Sequence, residues 1–344
     1  MTCGPSSRIS THISRSTATS RKKSSTTSRS SNSSSVEPLA RRFRGVRPMQ
    51  TLVIGATGQL GSDVVKAFRG HQITTAARHA ADYDVDLAQP ESIRGCLEST
   101  RPDLVVNTAA CHNVPACEES PSEAYAVNAT GVAALAESCQ EIGARLIHVS
   151  TDYVFGHLPP GASRRPWRED DPTAPLNVYA ASKLAGEHLL AAACEDHAII
   201  RSSGLYGQSP CLAKGGRNFV QLMLHLASER GEVKVVTDEI LTPTYTAALA
   251  QQIRRVAESE ARGVFHATCQ GECSWNEFAS AIFEYSDTEV RLLPATSEDF
   301  PSPVRRPGYS ALDNARLREL SLDVMPDWRA GLRQYLHESS ADVA

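Results

Sequence analysis

Short apolar segments with little polar alternation recur through the first two thirds of this chain, and they constrain its fold more than any other feature. They are Thr51–Ile54, Gln72–Ala76, Asp103–Asn107, Arg145–Ser150 and Ala198–Arg201. Stretches with helical spacing stand between them, at Gln59–Phe68, Ser122–Ile142 and Tyr179–Ala193. Strands of that kind are buried on both faces, which requires a parallel sheet covered by helices on either side. The expected fold class is therefore α/β, a doubly wound parallel sheet of Rossmann type over residues 49–205. After Leu205 the rhythm weakens, and helices are predicted near Asn218–Glu229, Tyr245–Glu258, Trp275–Tyr285 and Asp327–His337. Residues 206–344 are expected to form mainly a smaller C-terminal substrate lobe that shares chain with the first domain.

Composition narrows the function. Residues 1–48 carry 14 Ser and 10 Lys/Arg against one acid, Glu37, which leaves 25 basic and 38 acidic residues in the 296-residue body. A body of charge −13 argues against a nucleic-acid-binding surface. No apolar run reaches the roughly 18 residues that a membrane-spanning helix needs. The nine cysteines include no C-x-x-C pair, so they read as reduced thiols in a cytoplasmic setting, with no metal site. The extension 1–48 reads as a disordered segment or a targeting peptide, the latter implying organellar import. Met49 stands directly before the first predicted strand, as a start would.

Gly55-Ala-Thr57-Gly58-Gln59-Leu60-Gly61 follows the first strand and opens a helix. Glycines there permit a tight turn and a close backbone approach, and the free amides of the helix terminus meet a pyrophosphate. This predicts dinucleotide binding. An acid at the end of the second strand would select NADH by accepting from the adenosine ribose hydroxyls, but this chain reads Ala76-Ala77-Arg78-His79. Arg78 suits a 2′-phosphate, so NADPH is the expected cofactor and NADH the second choice. Asp86 and Leu87 lie where a loop reaches the adenine. The small Ala109 and Ala110 leave room for cofactor at a strand end.

Tyr179 and Lys183 are four residues apart on one predicted helix, hence on one face. A phenol beside an ammonium is expected to have a lowered pKa and to serve acid–base work, while Lys183 also suits the nicotinamide ribose hydroxyls. Val149-Ser150-Thr151-Asp152-Tyr153-Val154-Phe155 ends another strand. Either Ser150 or Thr151 can supply a hydroxyl to a substrate carbonyl, and spacing alone does not choose.

Together GATGQLG at 55–61, VSTDYVF at 149–155, APLNVYAASKLAGE at 174–187 and PTYT at 243–246 resemble an extended short-chain dehydrogenase/reductase, and more narrowly the dTDP-4-dehydrorhamnose reductase family. The resemblance spans about residues 50–337. It implies NADPH-dependent reduction of the C4 ketone of a dTDP-4-dehydro-6-deoxy-L-hexose, toward dTDP-L-rhamnose or a related deoxysugar. It implies that Thr151 binds the carbonyl oxygen, that Tyr179 donates the proton, and that Lys183 assists Tyr179 and grips the cofactor ribose. Gly58, Gln59, Leu60, Asp86, Leu87, Ala109 and Ala110 fall on its cofactor contacts, and Asp152 on a substrate contact. Two departures stand out: Ala77 where relatives often carry an acid, and Gly204 where many carry a Trp over the sugar.

Two other readings remain at this stage. One is a non-catalytic NADP-binding regulatory subunit resembling the β subunit of methionine adenosyltransferase. The other is an epimerase or dehydratase that keeps its NAD bound. The expected partner is a nucleotide sugar, with neither nucleic acid nor membrane, and a homodimer is allowed.

Overall fold

A computed structural model of the chain describes residues 48–156, 164–211 and 215–341, so all but Pro48 of the basic extension lies outside the described residues. Strands β1 (Gln50–Ile54), β2 (Gln72–Ala77), β3 (Tyr83–Asp84), β4 (Leu104–Asn107), β5 (Arg145–Thr151) and β6 (His197–Ser202) join a seventh strand, Gly263–His266, in one sheet. From one edge the order is Gly263–His266, β6, β5, β4, β1, β2, β3. Every pairing is parallel. The order reverses between β1 and β4, and in sheets of this kind the crevice beyond the carboxyl ends at the reversal is where ligands bind.

Alternate residues of each strand feed opposite faces. Val53, Val106, Ile147, Ile200 and Phe265 pack on one side; Leu52, Ile54, Val105, Leu146 and Ile199 pack on the other. Helix α1 (Gln59–Ala67) and the helix Thr246–Ala257 cover the first face. Helices α2 (Pro90–Thr100), α5 (Gly131–Ile142) and α6 (Val178–Ala193) cover the second. Each such side chain stabilises the fold by about 1.5–3 kcal/mol on burial, so the doubly covered sheet holds most of the hydrophobic free energy.

Several details differ from the expectation. The 122–142 stretch is not one regular helix. The short helices α3 (Val114–Glu119) and α4 (Pro121–Tyr125) lead into a π-helical turn, Ala126–Thr130, and only then into α5. The extra residue of that turn carries Asn128, whose amide bonds the backbone N–H and C=O of Cys111 at 2.9 Å each and the Ser182 hydroxyl at 3.1 Å. A π turn inserted in a helix often marks a functional site. Gly186 of α6 packs on the same turn so closely that a Cβ there would stand 2.0 Å from the Asn128 carbonyl oxygen.

Beyond Leu205 the chain forms a parallel pair, Glu232–Val236 with Arg291–Ala295, flanked by the helices Phe219–Glu229 and Trp275–Tyr285. Residues 263–266 return to the large sheet within this stretch, so the break at 205/206 does not divide the sheet. The eight described cysteines are free thiols. Among the described residues no helix is long and apolar enough to cross a membrane, and no cluster of His, Cys, Asp and Glu is arranged to hold a metal ion.

Candidate active site

The glycine loop joins β1 to α1 at the reversal point. Gly55 has φ +81°, open to glycine at little cost, and a Cβ there would lie 2.7 Å from the Thr108 hydroxyl and 2.8 Å from the Ala109 nitrogen. A Cβ on Gly61 would lie 2.0 Å from the Gly55 carbonyl oxygen, so only glycine lets α1 start this close to the strand. Gly58 is the N-cap of α1 and supplies no capping side chain. The first-turn amides of Gln59, Leu60 and Gly61 have no intrahelical carbonyl to meet and face the end of the strand. That cradle fits a pyrophosphate. Thr57 is exposed on the loop, whereas the Leu60 side chain is buried in the core. The Gln59 amide donates to the Ser209 carbonyl at 3.1 Å and more weakly to that of Gly207, tying the loop to the segment after β6.

The other cofactor candidates surround the same strand ends. Arg78 follows β2, exposed and without an ion-pair partner among the described residues. Asp86 accepts from the Ala88 amide at 2.9 Å, and the Leu87 side chain is buried while its carbonyl abuts Gly131, so Leu87 offers a ligand only backbone. Ala109 and Ala110 follow β4, half-buried, with the Ala109 amide donating to Asn107 Oδ1 at 3.0 Å.

Asn177 caps α6, its side chain accepting from the Ala180 amide at 2.9 Å. The Val178 amide donates to the Glu118 carboxylate of α3 at 2.7 Å, which fixes the first helical turn. This sets the Tyr179 ring edge-on to Tyr153, with centroids 5.9 Å apart. The structure selects between the two hydroxyls left open by spacing. Thr151 lies near the Tyr179 phenol and favours its phenolate form, while Ser150 Oγ is buried without a partner among the described residues. Thr151 Oγ1 also takes the Tyr153 amide at 3.2 Å and donates to Asp152 at 3.1 Å.

The expected effect of Lys183 on the phenol is not what the structure shows. Burial raises the Tyr179 pKa, and the nearby Thr151 hydroxyl offsets only part of that. The Lys183 side chain is buried under the strand end, where Nζ donates to the Val149 carbonyl at 2.7 Å and meets His148 Nε2 at 2.9 Å. Burial lowers its own pKa to about 8, against an opposing pull from Glu187. Tyr179 therefore keeps its proton at neutral pH, the state a proton donor needs.

Asp152 also departs from the simplest expectation. It is buried, and its carboxylate accepts from Ser310 at 2.5 Å, Ser203 at 2.8 Å and Thr151. Burial raises its pKa to about 6, with the three hydroxyls pulling the other way. A direct substrate contact would displace one of those hydroxyls. Ser203 and Ser310 carry no motif, and only three-dimensional proximity reveals them. Beside them a small cleft is lined by Tyr153, Glu239, Leu241, Trp275, Pro307 and Ser310. Gly204, with φ +55°, lies against Leu241 and Pro243, and a Cβ there would come within 2.8 Å of Leu241 Cδ1.

A doubly wound sheet with a glycine cradle at its reversal point and a Thr–Tyr–Lys set one strand away defines an extended short-chain dehydrogenase/reductase. The family described as the RmlD substrate binding domain matches residues 49–341. The chain belongs to this family, that of the dTDP-4-dehydrorhamnose reductases. It is 37% identical to the Escherichia coli (strain K12) dTDP-4-dehydrorhamnose reductase over 305 residues, covering 84% of this chain and 98% of that protein. It is also 37% identical to the spore coat polysaccharide biosynthesis protein SpsK of Bacillus subtilis, over 85% of this chain and 98% of that one. The crystal structure of the Bacillus anthracis dTDP-4-dehydrorhamnose reductase in complex with NADP is similar at TM-score 0.78 and 33% identity, over 85% of this chain and all of that one. A Thermus thermophilus UDP-glucose 4-epimerase, 22% identical at TM-score 0.71, shares the fold.

Proposed function

We propose that this chain is an NADPH-dependent oxidoreductase that reduces the C4 ketone of a dTDP-4-dehydro-6-deoxy-L-hexose. The observation that carries this reading is the Thr151–Tyr179 pair, a protonated phenol near a hydroxyl at the carboxyl edge of the sheet. The nicotinamide supplies hydride when bound. The chain's own residues do the rest. The α1 amides, with Gly55, Gly58 and Gly61, seat the pyrophosphate, and Arg78 takes the 2′-phosphate. Tyr179 donates to the carbonyl oxygen, joined by Thr151 once its hydroxyl turns from Asp152, and the two polarise it; Tyr179 gives its proton to the alkoxide as it forms. In the resting protein Asp152 accepts the Thr151 hydroxyl, and Lys183 braces the strand end through Val149 and His148.

The completeness of this set favours an enzyme over a regulatory NADP-binding subunit. The exposed Arg78, next to Ala77 where relatives often carry an acid, favours a dissociating NADPH over a permanently held NAD. Tyr153 and Trp275 line the small cleft beside Ser310, where an aromatic ring could meet the sugar in place of the contact that Gly204 forgoes. Reduced thiols and a nucleotide-sugar substrate support a cytoplasmic location.

The test is direct. Purified protein given enzymatically prepared dTDP-4-dehydro-6-deoxy-L-hexulose should oxidise NADPH in step with appearance of the reduced sugar nucleotide. Tight NADPH binding with no turnover on a panel of 4-ketosugar nucleotides would replace this reading with the regulatory one.

A further inference from the structure

Six of the eight described cysteines are buried, and Cys111 and Cys211 are the two partly open to solvent. Cys111 stands apart because a second sulfur faces it. Its Sγ lies 3.5 Å from Cys117 Sγ, and the Cys117 thiol also reaches the Cys111 carbonyl oxygen at 3.5 Å. Cys111 continues the strand end after Ala109 and Ala110, where the cofactor is expected to pass. Cys117 belongs to α3, whose Glu118 accepts the Val178 amide at 2.7 Å and so holds the turn of α6 that carries Tyr179. The two thiols thus join the two pieces of backbone that frame the reaction. Both lie near enough to the Tyr179 phenol for a charge on either to raise its pKa.

The two sulfurs are unequally exposed. Cys117 is 0% exposed, and burial, with Cys111 beside it, pushes its thiol up to about 12. It stays protonated, and Cys111 is the thiol that a small oxidant reaches. An accessible thiol with a second thiol behind it to resolve the oxidised form recurs in redox-sensing cysteine pairs. A transient bridge of this kind is compatible with a compartment that keeps thiols reduced.

We propose that Cys111 and Cys117 are a reversible oxidative modification site that switches the active site off: hydrogen peroxide joins them in a disulfide. The Cys111 sulfur first attacks one peroxide oxygen. The O–O bond breaks, hydroxide leaves with the Cys111 proton as water, and Cys111 becomes a sulfenic acid. The Cys117 sulfur then attacks the Cys111 sulfur; the S–O bond breaks, and the departing hydroxide takes the Cys117 proton as water. Two thiols and one peroxide give one disulfide and two waters, with two electrons passing from sulfur to oxygen. A dithiol reverses the step by exchange.

Bonding draws the sulfurs closer by about 1.5 Å, and neither end is loose. Asn128 holds the Cys111 N–H and C=O at 2.9 Å each, and Asn113 caps α3 by accepting from the Ala116 amide. Part of the closure therefore passes to Ala110 on one side, and to Glu118 and the Tyr179 turn on the other. A shift of about 1 Å in a catalytic group costs about 100-fold in rate. The loss of turnover rests on the reductase reading, whereas formation of the bridge does not.

The test treats fully reduced, full-length protein with stoichiometric hydrogen peroxide at neutral pH. By mass spectrometry, the peptide spanning both cysteines should be lighter by two hydrogens and resist thiol labelling at those two positions. Oxidation that stops at a Cys111 sulfenic acid would overturn the site, as would oxidation falling on Cys211, whose Sγ lies 3.8 Å from His112 Nε2. The bridged protein should bind NADPH about 10-fold more weakly and turn over a 4-ketosugar nucleotide about 100-fold more slowly. Dithiothreitol should restore both. In Cys117→Ala, peroxide should leave NADPH binding and turnover as they were before treatment, and a loss equal to that of the wild type would overturn the switch. A bridge that forms and changes neither quantity would overturn it too. If no ketosugar is turned over, the reductase reading fails alone, because the mass and NADPH measurements still decide for or against the bridge.

Discussion

Ser310 donates to the Asp152 carboxylate at 2.5 Å across 158 positions of sequence, and so the end of the catalytic strand is held by a residue from the last tenth of the chain. Ser203 completes the clamp from the end of β6. The carboxylate is the shared acceptor, and Thr151 takes its direction from it.

Stability should follow the ionisation of this carboxylate. Its folded pKa is raised to about 6 from a value of 3.8, so the folded state holds the proton more tightly than the unfolded state does. The associated stability is complete below pH 3.8 and is lost as pH rises through about 6, amounting to about 3 kcal/mol. Denaturant unfolding of the wild type against Asp152→Asn should show the wild type losing ground between pH 4 and pH 6. A difference that does not vary over that range would contradict the raised pKa.

Tyr179→Phe removes the proton donor and keeps the ring that packs on Tyr153. Turnover should fall by about 100- to 10,000-fold while NADPH affinity changes little. Wild-type turnover in the variant would mean that another group supplies the proton.

Arg78 is exposed and has no ion-pair partner among the described residues, so replacing it leaves no buried charge behind. Arg78→Ala should cost about 1.5–3 kcal/mol in NADPH binding, roughly 10- to 100-fold, with NADH binding nearly unaffected. Equal losses for the two dinucleotides, measured by fluorescence titration, would remove the 2′-phosphate assignment.

Glu187 receives Arg201 Nε at 3.0 and 3.1 Å and Nη2 at 2.6 Å, with both side chains buried. Glu187→Gln strands the guanidinium and should destabilise the protein by about 3 kcal/mol or more. It also withdraws the carboxylate that favours the Lys183 ammonium, so any pH limb due to that lysine should move down. A variant as stable as the wild type would mean that water reaches Arg201.

The doubly wound sheet was legible because β1, β4, β5 and β6 are apolar on both faces and the glycine loop marks where the order begins. The Thr–Tyr–Lys set was legible for a similar reason: each member lies in a local motif. Residues that act through space were not. His148 reads in sequence as one polar residue in an apolar strand, and its meaning depends on Asn107 and Lys183, 41 and 35 positions away. The π turn escaped detection because its apolar spacing differs from that of a regular helix by a single residue. The strand Gly263–His266 is only four residues long, opening on a glycine and ending on a histidine. The lowered phenol pKa expected of a Tyr-x-x-x-Lys pair failed because sequence spacing places two Cα atoms on one face but says nothing of which way a long buried side chain turns.

Because Gly263–His266 completes the hydrogen-bonding edge of β6, the nucleotide-binding half is no detachable module. A fragment ending before residue 263 would leave that edge bare and strip Phe265 from the apolar layer beneath it, and it would have no Ser310 to brace the strand end. Excision or transplantation of the first half alone is thus an invitation to sticky, edge-to-edge association. Any engineered exchange of the sugar-recognising portion has to carry this strand with it or supply a substitute.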